Sequence, residues 1–160
     1  MISNKTHPVL LSFLLASCGA SPLLNHKNAD ELKVQAPQEP TNLCALRLAK
    51  SGRCLKISWL RGPFNDRESI VIVNQHTLNQ ADGTVGAYVN FDATETLELD
   101  PQMPSMGHGS YENPVVQLLG DGLVLAKNVV FTMEGDWELN FILKRNGVEV
   151  DRAVLPVKIL

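Results

Sequence analysis

An all-β fold, a sandwich of seven to nine strands, is predicted by three observations. From Leu43 onward apolar residues recur at every second position. No stretch carries a 3.6-residue apolar stripe over three turns. Turn-forming residues separate the runs, Asn146-Gly147 being the strongest hairpin signal. That many short strands with that spacing read as an immunoglobulin-like two-sheet arrangement, with a closed barrel as the alternative.

The elements follow in order. Leu55, Ile57 and Trp59 alternate with Cys54, Lys56 and Ser58. Ile70 to Val73 is a short apolar run, and the following Asn74-Gln-His-Thr77 makes His76 a surface turn residue. Val85, Ala87, Val89 and Phe91 alternate, with Tyr88 between them. Leu97 and Leu99 form a short segment, followed by a loop from Leu99 to Ser110. Val115 to Leu119 and Leu123 to Phe131 are the next strands. Trp137, Leu139, Phe141 and Leu143 face one way, against Glu138, Asn140 and Lys144. The last strand carries Ala153, Leu155, Val157 and Ile159. Trp59 and Trp137 belong to the core.

The N-terminus reads as a processing signal. Val9 to Leu15 is an apolar run too short to span a bilayer as a helix, and it leads into Leu15-Ala16-Ser17-Cys18-Gly19. That string resembles the lipobox of bacterial lipoproteins, in which the chain is cut before the cysteine and the cysteine is acylated. The expected organisation is a signal peptide over 1–17, a lipidated tether over 18–41 and a single domain over 42–160. The tether opens on Gly-Ala-Ser-Pro and closes on Ala36-Pro-Gln-Glu-Pro40, with too little apolar periodicity to offset the entropy of ordering. Several acyl chains on Cys18 give stable anchoring in a lipid bilayer. Gly19 in place of an aspartate points, by the enteric sorting rule, to the outer membrane and the periplasmic side of the cell envelope.

Export sets the reading of the other two cysteines. In an oxidising compartment Cys44 and Cys54 are expected to form a disulfide. A two-residue hairpin turn within Lys50-Ser51-Gly52-Arg53 conflicts with this. It places Cys54 opposite Ala49 and Cys44 opposite Trp59, beyond bridging distance. The bridge is the stronger constraint, so a wider loop, or strands in different sheets, is expected.

The chain has four methionines, and after the initiator they gather rather than scatter: Met103 and Met106 lie in Met103-Pro-Ser-Met106-Gly-His108, and Met133 closes a predicted strand. Thioethers with one imidazole are ligands that suit Cu(I). Residues three apart on a strand point to opposite faces. Pro104, Gly107 and Gly109 permit a turn that brings Met103, Met106 and His108 together. The plain alternative is that methionine fills core gaps and the histidine is solvated.

The stretch from about Leu97 to Leu143 resembles the FixH/YtkA-like domain family. The resemblance rests on Met103-Pro-Ser-Met106-Gly-His-Gly109, on Asn128-Val-Val-Phe131-Thr-Met133, and on Glu134-Gly135-Asp136-Trp137-Glu-Leu139, in that order and spacing. It implies a small exported immunoglobulin-like sandwich engaged in copper handling or cytochrome oxidase assembly. The implied copper ligands are Met103, Met106, His108 and Met133. Glu134 departs from a proline found in many relatives, and the Cys18 lipid replaces their transmembrane helix.

The expected function is therefore a membrane-anchored copper-binding protein that buffers Cu(I) or passes it to an acceptor protein. A non-metal structural or protein-interaction sandwich is the alternative. No Gly-x-Ser-x-Gly elbow, His-Glu-x-x-His motif or cysteine with a usable base indicates an enzyme. A net charge of -3 with acids and bases mixed argues against nucleic acid as a partner.

Overall fold

A computed structural model describes residues 42–160. The expected signal peptide, the expected lipidation cysteine Cys18 and the expected tether lie outside the described residues. The described chain is all-β, with ten strands in two antiparallel sheets that form a sandwich. The strands are β1 (Leu46–Leu48), β2 (Arg53–Arg61), β3 (Glu68–Leu78), β4 (Val85–Tyr88), β5 (Glu95–Met103), β6 (His108–Gly109), β7 (Val115–Gly120), β8 (Leu123–Val130), β9 (Gly135–Arg145) and β10 (Val148–Ile159). The count exceeds the expected seven to nine because β1 and β6 span three and two residues. Segments that short carry no readable alternation.

One sheet runs β1-β2-β3-β8-β7, with β4 also paired to β3; the other runs β10-β9-β5-β6. At one side of the sandwich β1 packs on β10, and at the other β7 packs on β5. Period-two alternation decides which residues fill the space between. Leu48, Leu55, Val71, Val73, Val124 and Ala126 come from the first sheet, and Leu97, Leu99, Trp137, Leu139, Phe141 and Leu143 from the second. Trp137 is buried at 1% exposure, while Trp59 is half-buried and packs against the same core, its ring 6.1 Å from that of Phe131.

Asn146-Gly147 forms the expected two-residue turn: Arg145 pairs with Val148, and both turn residues have positive φ (51° and 78°). Asp121-Gly122 repeats that geometry between β7 and β8.

The first hairpin differs from its expected register. Leu48 pairs with Arg53, so Ala49 to Gly52 form a four-residue loop and Cys54 lies opposite Arg47. The reason is Asp151, which accepts hydrogen bonds from both the N–H (2.7 Å) and the hydroxyl (2.9 Å) of Ser51 and holds the wider loop against β10. Upstream of β1 the chain bends at Ala45. Cys44 donates its N–H to Gly83, and Leu43 bridges to Thr84. This bend carries Cys44 over Cys54, and the two form a disulfide with a Cα–Cα distance of 5.7 Å. The bridge sits in a small apolar cluster with Val85 and Leu78, apart from the main core.

His76 is not a surface turn residue. It lies within β3, is 7% exposed, and pairs with Cys54 on one side and Tyr88 on the other. The polar run Asn74-Gln-His-Thr77 stays in the strand because its groups find partners. Gln75 donates to the Val89 carbonyl and accepts from Arg53. His76 Nδ1 lies 3.1 Å from the Gly86 carbonyl, with the imidazole stacked 4.3 Å from the Tyr88 ring.

Candidate metal site

The segment expected to be a loop from Leu99 is strand as far as Met103. Glu95, Leu97, Leu99, Pro101 and Met103 alternate inward along β5. The chain then reverses in four residues, Pro104 to Gly107, and returns as β6 with Met103 paired directly to His108. The Met103 carbonyl accepts the N–H groups of Met106 and Gly107, each at 3.1 Å, which closes the turn. Gly107, at φ 67°, supplies its left-handed residue. Directly opposed residues of an antiparallel pair share a face. Met103 and His108 are therefore side by side on the inward face, Met103 buried at 4% exposure and His108 half-buried.

The other two thioethers are placed differently. Met106 occupies the tip of the turn and is 60% exposed. Met133 does not end a strand. Strand β8 stops at Val130, after Asn128 has taken a positive φ of 57° and shifted the register. Met133 falls in the bend that follows, 37% exposed. That bend is tied to the same end of the sandwich. Trp137 Nε1 donates to the Met133 carbonyl at 3.0 Å. The Trp137 ring meets that of His108 edge-on at 6.2 Å between centroids. The Met103 methyl lies so close to Gly135 that a Cβ there would stand 2.4 Å from it. The fold thus makes cross-strand neighbours of Met103 and His108, seats the Met133 bend beside them through Trp137 and Gly135, and leaves Met106 at the rim.

The hydrogen bonding of His108 bears on its chemistry. Nδ1 lies 3.0 Å from the Gly109 carbonyl, which only accepts, so Nδ1 carries the proton and the Nε2 lone pair is free for a ligand. Among the described residues no three or more His, Cys, Asp or Glu side chains gather into a metal-holding group. A metal at this end would be held by thioether sulfur and one imidazole nitrogen, a donor set for a soft ion. Sequence reasoning named the four side chains but missed Trp137 and Gly135, which hold the two segments together. The signal was present in Gly135-Asp-Trp137, where a glycine beside a large aromatic marks close approach. The chain matches no family model, no curated protein and no solved structure.

Proposed function

We propose that this protein is a lipid-anchored copper-binding protein of the bacterial cell envelope that buffers Cu(I) or delivers it to an acceptor. The observation that carries the reading is the direct pairing of Met103 with His108 beside the Met133 bend. Two segments distant in sequence bring soft donors to one end of the sandwich. Met103, Met106, Met133 and His108 Nε2 would hold the ion. Thioethers release no proton on binding, so they make affinity depend less on pH than thiolate ligands would. The exposure of Met106 and Met133 suits ligand exchange with a partner. The likeness of Leu97–Leu143 to FixH/YtkA-like domains supports the same reading, and the Leu15–Gly19 lipobox supports anchoring through Cys18, with outer-membrane placement following from Gly19.

One observation favours the non-metal alternative. Met103 is part of the main core cluster, where a thioether beside Trp137 also serves as packing. The test therefore uses the exposed methionines. The full chain carrying Cys18→Ser is titrated with Cu(I), kept reduced by ascorbate, against a chromophoric chelator. One equivalent should bind, and Met106→Leu or Met133→Leu should each weaken binding by about tenfold or more while leaving the melting temperature unchanged. Indistinguishable titrations for wild type and both variants would return the protein to a structural or interaction role.

A further inference from the structure

Of the four strands that end the two sheet orders, three are protected as edges. Strand β10 carries Pro156 in its interior and exposed Arg152 and Lys158 along its length. The β6 edge is two residues long, and β1 is three residues long with Arg47 exposed at its centre. Proline, charge and brevity are the devices that stop an edge from pairing with another chain. Strand β7 has none of them. It is six residues, Val115-Val-Gln-Leu-Leu-Gly120, with no charge and no proline, and it closes its sheet with one side unpaired among the described residues. Val115, Leu118 and Leu119 are 60%, 46% and 48% exposed.

We infer that β7 is a homodimer edge, pairing antiparallel with β7 of a second copy about a two-fold axis through Gln117. The sequence is self-complementary about that residue. The register places Gln117 opposite Gln117, Val116 opposite Leu118 and Val115 opposite Leu119. Every apolar side chain meets an apolar one, and the only polar side chain meets its own copy, where two amides hydrogen-bond. No like charges are brought together, because the strand holds none. A symmetric interface of this kind closes on itself and leaves no further edge to propagate. The bulge between Leu118 and Gly120 falls at Leu119, so the register is regular over Val116 to Leu118, centred on Gln117. An axis through a residue works with either set of backbone groups turned outward, since Gln117 then lies in a hydrogen-bonded or a non-hydrogen-bonded pair. The two six-stranded sheets become one continuous sheet across the dimer.

The register makes the test specific. In the full chain with Cys18→Ser, Gln117→Cys should form a covalent dimer on mild oxidation. Opposed Cα atoms lie about 4.5–5.5 Å apart, within disulfide reach. Val115→Cys alone should not cross-link, because its copies stand about 13 Å apart along the strand. Separately, Gln117→Lys should weaken self-association by about tenfold or more by opposing two charges at the axis, and mixing it with Gln117→Glu should restore the dimer. Gln117 is exposed, so both variants are expected to keep the wild-type circular-dichroism spectrum. A monomeric wild type, or equal cross-linking at positions 115 and 117, overturns the inference.

Discussion

At the scale of single residues, Gly135 sets the geometry around the candidate ligands. Its φ of 137° lies in territory that side chains avoid, and the Met103 methyl fills the space a Cβ would take. A Gly135→Ala change should cost about 2 kcal/mol from backbone strain and displacement of Met103. Met103→Ala alone should cost about 2–4 kcal/mol through the cavity it leaves beside Trp137. The double variant should cost less than the two together, because the added methyl enters the vacated space. Urea denaturation of the four proteins measures this, and strict additivity would show that the contact does not matter. The four ligand candidates were legible as residue types, because methionine and histidine concentrate in two short motifs. Their arrangement was less legible. Pro101 and Pro104 made the chain after Leu99 look like loop, yet β5 continues to Met103 and makes it the direct partner of His108. A proline near a strand end is compatible with strand, and the pairing register is a property of the turn that sequence alone leaves open.

At the scale of elements, the period-two pattern located most strands, and polar groups concealed the rest. Strand β3 extends through Asn74-Gln-His-Thr77 to Leu78 because Gln75 and His76 are satisfied by β2 and by the chain from Gly86 to Val89. These are partners from distant sequence that no local rule anticipates. The β1–β2 hairpin shows the same dependence. Its loop length is set by Asp151, one hundred positions away from Ser51. The cysteines were the better guide there, since their expected pairing required a wider loop than the local turn signal suggested. The disulfide fastens the segment from Asn42 to Ala45 onto the outer face of the first sheet. With ten residues of sequence separation, removing it should cost about 2–3 kcal/mol. Cys44→Ser/Cys54→Ser should therefore melt several degrees lower than wild type, with the main core intact by near-ultraviolet dichroism. An unchanged melting temperature would mean that this segment adds nothing to global stability.

At the scale of the whole sandwich, the two ends differ in chemistry. Strand β5 begins at Glu95 and ends at Met103, about 26 Å away along the strand. At the Glu95 end the carboxylate is fully enclosed between the sheets and bonded by Arg53 of β2 and Arg145 of β9, each at 2.8 Å. The Asp92 N–H adds a further bond at 3.0 Å. Arg53 is adjacent to Cys54, so the described chain enters the domain at this end. Burial alone would raise the Glu95 pKa, but the hydrogen bonds from Arg145, the Asp92 N–H and Arg53 outweigh it and hold the pKa below its ordinary 4.5. A carboxylate with a depressed folded-state pKa contributes stability above its unfolded value, and that contribution is lost as pH falls through the folded one. Glu95→Gln should thus cost about 3 kcal/mol at neutral pH by leaving Arg53 without its buried partner. The gap between variant and wild type should then narrow as pH drops below about 4.5. Chemical denaturation across pH 7 to about 3 tests this. A gap that stays constant over that range would mean that the ionised form of Glu95 does not join the sheets. The copper reading is independent of that outcome, since Met103 and His108 lie at the opposite end and need only the local Trp137 and Gly135 contacts to stay together.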